Sequence, residues 1–197
     1  MVPPRPTPDL DRFFRGLAEH AFHGRLGVVD PPLVDYVSTL LLRFIRNEHL
    51  RSLPGGDAVA GDQLVLMLAA LPPPGGDRAW ADDSPGASGR DERVTVKEDL
   101  CAGREEPGAR GRHGVEYRHI GDYTLFWTGL YPEALRRRGP RAAGLDEYRV
   151  AGKRAYWIAS TCEAAVEADR TLLVRLSEDY DTCAEGLAEV RRSWGET

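Results

Sequence analysis

Residues 173–194 read LVRLSEDYDTCAEGLAEVRRSW, and within them Leu173, Leu176, Tyr180, Cys183, Leu187, Val190 and Trp194 fall at alternating steps of three and four. That spacing holds apolar groups on one stripe of an α-helix for about three heptads. Such a stripe must be covered, either by other helices of the same chain or by the matching stripe of a second copy. Several amphipathic segments lie upstream, so the expected cover is the core of an intramolecular bundle, with a dimer seam as the alternative.

Immediately before it, a helix is expected from about Leu145 to Ala165, on which Tyr148, Gly152, Ala155, Ala159 and Cys162 make a narrow stripe of mostly small residues. Small residues at that spacing let a neighbouring helix approach closely and antiparallel. Farther out, Val115 to Tyr131 reads as a long helix closed by Pro132, with a short continuation through Glu133, Ala134 and Leu135. Gly121 and Gly129 sit eight apart on one face of that helix. They lower its intrinsic propensity, which points to close packing at both positions.

In the N-terminal half, Asp9 to His23 places Phe13, Phe14, Leu17, Ala18, Ala21 and Phe22 on a broad apolar face after a Pro-rich flexible leader, residues 1–8. Asp30 stands as an N-cap before Pro31 and Pro32, and Leu33, Val37, Leu40, Leu41, Phe44 and Ile45 carry a helix to about His49. Gln63 to Leu71 is a short apolar helix ended by Pro72, Pro73 and Pro74. From Pro72 to Arg112 the chain is rich in Gly, Pro, Asp, Glu and Arg. Residues 72–112 therefore read as a disordered insertion or linker that buries too little to offset its ordering entropy. The expectation is an all-α, antiparallel helical bundle of about five helices in a single domain over residues 1–197, with this insertion inside it.

A net charge of -5 argues against binding nucleic acid by whole-surface phosphate neutralisation. Nearly all the positive charge is arginine, since Lys97 and Lys153 are the only lysines. Cys101, Cys162 and Cys183 are odd in number and show no paired spacing, so a reducing, cytoplasmic setting is expected rather than a disulfide framework. No apolar run reaches the length of a signal peptide core or a membrane span, so no membrane partner is expected.

Candidate chemistry concentrates in residues 113–133, HGVEYRHIGDYTLFWTGLYPE, where Glu116, His119 and Asp122 recur every three residues. On a helix they lie along one slowly drifting face, and imidazole with carboxylate suits a divalent cation such as zinc, iron or manganese. Glu116 with His119 supplies one Glu and His pair of the kind di-metal bundles use twice, and no second pair occurs. His23, four residues after Glu19, is the candidate that would complete a mononuclear site with Glu116 and His119; the competing reading leaves His20 and His23 facing solvent near a helix end.

Asp122 has the apolar neighbours Ile120, Tyr123, Leu125, Phe126 and Trp127 and so needs a buried partner, for which Arg118, Arg154 and Tyr156 are available. With a partner it anchors helix register; without one its pKa rises and it becomes an acid or base candidate. Asp122, Tyr123, Trp127 and Tyr156 are also the candidate walls of a small-ligand pocket, against the alternative that these aromatics fill the space between helices. Arg136, Arg137, Arg138 and Arg141 form a basic loop that reads as solvated. Neither a nucleophile-elbow motif nor a phosphate-binding glycine loop is present.

Arg118 to Arg137, RHIGDYTLFWTGLYPEALRR, together with Ala151 to Thr161, AGKRAYWIAST, and Leu176 to Trp194, resembles a group of helical bacterial proteins that share a Gly-Asp-x-x-Leu-Phe-x-x-Gly-x-x-Pro-Glu core. The resemblance covers helices on both sides of residues 72–112 and implies no established activity or catalytic residue. The leading functional expectation is a non-enzymatic cytoplasmic protein that binds a protein partner or forms a homodimer. The alternative is a metal- or small-ligand-binding helical protein, enzyme included, centred on Glu116, His119 and Asp122.

Overall fold

Eight α-helices and no strand occur among the residues described by the structure, a computed structural model covering residues 8–46, 58–70, 109–139, 142–162 and 167–195. In chain order they are α1 (Pro8–Glu19), α2 (Pro31–Arg46), α3 (Ala58–Ala70), α4 (Ala109–Leu130), α5 (Pro132–Arg136), α6 (Leu145–Thr161), α7 (Glu167–Glu178) and α8 (Tyr180–Gly195). A single π-helical turn, His20–Arg25, extends α1. The all-α expectation holds. The leader up to Thr7, the helix end at His49 and residues 72–108 of the expected insertion lie outside the described residues.

The heptad stripe is core. Leu173, Leu176, Tyr180, Cys183, Leu187 and Val190 are all buried. A one-residue interruption at Asp179 divides the expected single helix into α7 and α8. The backbone ladder nevertheless runs through it, from Asp179 N to Arg175 O at 2.7 Å and from Cys183 N to Asp179 O at 2.9 Å. The stripe therefore keeps its face across the break and packs inside the chain.

α4 and α6 make the most extensive helix pair, and α8 lies along α4. Glycine sets these distances. A Cβ at Gly152 on α6 would come within 2.4 Å of Thr124 Oγ1 and 2.5 Å of the Tyr180 ring, and one at Gly129 on α4 within 2.5 Å of Leu187 Cβ. The small-residue stripe and the paired glycines thus work as close-approach surfaces, because any side chain there would force the axes apart.

The structure moves two helix starts: α3 opens at Ala58 rather than Gln63, and α4 opens at Ala109 rather than Val115, so residues 109–112 of the expected insertion are helical. Residues 109–114, ARGRHG, carry no apolar periodicity, but the Cβ position of Gly114 lies 3.1 Å from Cys162 Cβ, so the end of α6 grips this added turn. At the other N-terminal junction, Asp30 caps α2 as expected: its Oδ1 accepts from Leu33 N at 3.5 Å, and Arg175 of α7 pairs with its other carboxylate oxygen. Among the described residues no helix is long and apolar enough to cross a membrane.

Candidate functional site

Where α2, α4 and α6 meet, one carboxylate gathers two phenols and a guanidinium. Asp122 on α4 is 1% exposed. Its Oδ1 accepts from Tyr36 Oη of α2 at 2.5 Å and from Tyr156 Oη of α6 at 2.9 Å, and its Oδ2 accepts from Arg43 of α2 at 3.2 Å. Arg118, one turn before Asp122, donates through Nε to Tyr36 Oη at 3.1 Å and lays its guanidinium 5.0 Å from that ring's centre. Every bond in the cluster donates toward the carboxylate, the arrangement an ionised, acceptor-only Asp requires.

Burial still wins over those donors. Desolvation pushes the Asp122 pKa above the ordinary carboxylate value, opposed by the bond from Tyr36, the charge of Arg43 and the bond from Tyr156. The two phenols respond to the same environment, and burial followed by the nearby Asp122 charge raises Tyr36 and Tyr156 well above the ordinary tyrosine value. Their rings meet edge to face at 6.4 Å, and Tyr156 lies flat on the glycine side of α4, with its ring atoms 2.8–2.9 Å from a Cβ built at Gly121. Gly121 is thus the reason Tyr156 can reach Asp122 at all.

The expected pocket residues part company at this point. Asp122 and Tyr156 come together, whereas Tyr123 and Trp127 belong to an aromatic row. Tyr123 stands 6.1 Å from both Trp127 and Tyr148, and Trp127 stands 5.4 Å from Tyr131. Those rings fill the space between the helices with one another. Arg138 joins the row from below, donating to Asp62 of α3 and to Tyr148 Oη at 3.1 Å. One member of the basic loop is therefore a buried-edge anchor rather than a solvated charge, because the Asp62 carboxylate and the Tyr148 ring give it a site. Arg154 bonds the carbonyl of Leu68 and leaves Asp122 to the others.

The metal candidates are dispersed. Glu116 is exposed on α4, the half-buried His119 ring stacks on Phe44 at 6.5 Å, and His23 is exposed in the π-helical turn. Among the described residues no three His, Cys, Asp or Glu side chains gather where they could hold an ion.

Two donors to Asp122 were not anticipated from the sequence. Tyr36 and Arg43 stand seven apart on α2, two turns along one face, and that spacing was the available signal. The outer end of Arg43 lines a groove of about 500 Å³ between α1 and α2, shared with Arg15, Arg46, Asp11 and Asp35. Arg15 pairs with Asp35, Arg46 with Asp11 at 3.0 Å, and Arg43 with Asp122, so the groove's three guanidiniums are each matched by a carboxylate. Solvent reaches Arg43, while the carboxylate it holds has no face open to a substrate.

A different exposed feature remains. Phe14 of α1 is buried and touches two rings that are not: Phe13 at 5.3 Å and Trp194 of α8 at 5.1 Å, both edge on. Phe13 is 38% and Trp194 42% exposed, and Leu10, one turn before Phe13 on the same face of α1, is 42% exposed. Comparison with protein-family models, with curated proteins and with solved structures returned no match. The described residues thus present a closed polar brace at Asp122 and an open apolar face at Leu10, Phe13 and Trp194.

Proposed function

We propose that this chain is a non-enzymatic, cytoplasmic helical protein that docks a protein partner on the face formed by α1 and the C-terminal turn of α8. The carrying observation is the cluster of Phe13 and Trp194 around Phe14. Three aromatic rings in contact, two of them open to water and continuous with the core through the third, form a rigid apolar anchor of the kind that dominates binding energy at protein interfaces. Buried thiols at Cys162 and Cys183 support the reducing setting.

The Asp122 cluster supports the non-enzymatic half of the reading. Its polar atoms satisfy one another, so it serves as a brace between α2, α4 and α6. A photo-reactive residue at position 13, compared in cells with one at exposed Glu185 on the outer side of α8, tests the docking face. A discrete cross-linked product from position 13 alone is expected. No product from position 13, or the same product from both positions, removes the reading.

A further inference from the structure

We infer that the partner on this face is a second copy of the chain, with α1 seated antiparallel on α1 about a two-fold axis near residues 14 and 15, and Phe13 of each copy lying over Gly16 of the other. The inference rests on the docking face proposed above.

Gly121, Gly129, Gly152 and Gly186 sit in helices and would each place a Cβ within 3.0 Å of a neighbouring side chain, which explains why no larger residue stands there. Gly16 also sits inside a helix, yet among the described residues nothing comes within 4 Å of its Cβ position. A glycine costs an exposed helix stability and here returns no packing within the chain. It lies one turn beyond exposed Phe13, on the same outward side of α1. The chain three times seats an aromatic ring on a glycine of a neighbouring helix: Tyr156 on Gly121, Tyr180 on Gly152 and Phe22 on Gly186. Phe13 and Gly16 are the two halves of a fourth such contact, presented outward and three residues apart.

Register and charge then select the copy. In an antiparallel pair with its two-fold between residues 14 and 15, position 13 of one helix opposes position 16 of the other, and the contact is made twice. The same register leaves Arg12 of each copy about two residues along the axis from Glu19 of the other, roughly 3 Å of rise and within side-chain reach. Both residues are exposed. A parallel pair would instead set Phe13 against Phe13 and leave Arg12 of one copy and Glu19 of the other on opposite sides of the seam, so the charge pattern favours the antiparallel arrangement. A single helix pair rimmed by Trp194 is a small interface, which places the dimer at the weak end, roughly micromolar.

Sedimentation velocity over a concentration series, with thermal unfolding of each variant as the folding control, tests this. The wild-type chain is expected to dimerise reversibly. Phe13→Glu weakens the dimer at least tenfold. Gly16→Ala raises the melting temperature, because the helix gains propensity, and still weakens the dimer, because its methyl group meets the incoming ring. Arg12→Glu weakens the dimer, and adding Glu19→Arg restores it. A wild-type chain that stays monomeric throughout overturns the inference, as does a dimer that survives both Phe13→Glu and Gly16→Ala. If the chain is monomeric while position 13 still cross-links to a different protein, the second copy is wrong and the docking face stands; if position 13 cross-links to nothing, both fall.

Discussion

Asp122 concentrates the strongest competition between forces in this protein, because its burial and its donors pull its protonation in opposite directions. Removing one donor leaves a buried oxygen short of a partner, so Tyr36→Phe and Tyr156→Phe are each expected to cost about 1–3 kcal/mol in urea unfolding. Both share one acceptor, so the double substitution should deviate from the sum. The pH dependence has a definite sign. Burial raises the folded pKa of Asp122 above its unfolded value, so its contribution to stability is full below about pH 3.9 and is lost as pH rises through the folded pKa. Asp122→Asn lacks that loss, and its stability relative to wild type should therefore climb from pH 4 toward neutrality; a constant or falling difference in urea midpoints would show that the carboxylate is not held this way. Half of this brace was legible in the sequence. A carboxylate among Ile120, Tyr123, Leu125 and Phe126 demanded a partner, and Arg118 and Tyr156 stood close enough in the expected packing to be named. Tyr36 and Arg43 escaped because α2 reads as an ordinary apolar helix, and nothing in its own periodicity tells which neighbour its one tyrosine faces.

Between elements, the decisive contacts are rings and side chains laid against glycine, and they reverse the usual effect of alanine in a helix. At Gly186 on α8, a Cβ would lie 2.2–2.8 Å from the Phe22 ring of the π-helical turn. Gly186→Ala should gain the roughly 0.5–1 kcal/mol of helix propensity and lose more through overpacking, a net destabilisation of about 1–3 kcal/mol. Combining it with Phe22→Leu should cost less than the two separate losses added, since the smaller side chain vacates the space; strict additivity in denaturant unfolding would contradict the contact. The π-helical turn itself shows why some of the fold was illegible. Leu26 N bonds Ala21 O at 3.1 Å and Val28 N bonds Phe22 O at 2.9 Å, a widened ladder that lets Ala21 and Phe22 both face the core before Gly27 turns the chain at φ 67°. Tertiary packing dictates that widening, and sequence periodicity carries no trace of it. The heptad stripe was legible for the opposite reason: Leu173 to Val190 must bury one face whatever their neighbours are, so spacing alone places them. Trp194 closes the same stripe and yet stands half open, because α8 has run past α4 to the edge formed with α1.

Across the whole molecule, the core holds phenols alongside its aliphatic side chains. Tyr36, Tyr148, Tyr156 and Tyr180 are all buried, and burial is the first cause that raises the pKa of each. Tyr180 illustrates the compromise: its hydroxyl reaches Thr128 Oγ1 at 3.2 Å, while its ring fills the notch left by Gly152. A phenol whose folded pKa is raised contributes stability that is complete below about pH 10, its unfolded value, and is lost as pH climbs through the folded pKa. Several such groups titrating together make the fold vulnerable to base: helical circular dichroism should fall cooperatively above about pH 10. The slope of that loss reports the protons involved, about 1.4 kcal/mol per pH unit for each phenol that ionises only on unfolding. Tyr156→Phe is therefore expected to be less stable than wild type at pH 7 and to lose stability less steeply above pH 10, by up to one proton. Equal slopes for Tyr156→Phe and wild type would mean that Tyr156 ionises without unfolding the chain. In that case the brace around Asp122 would be open to hydroxide, and the site would be a solvent-accessible polar cleft rather than a closed structural anchor.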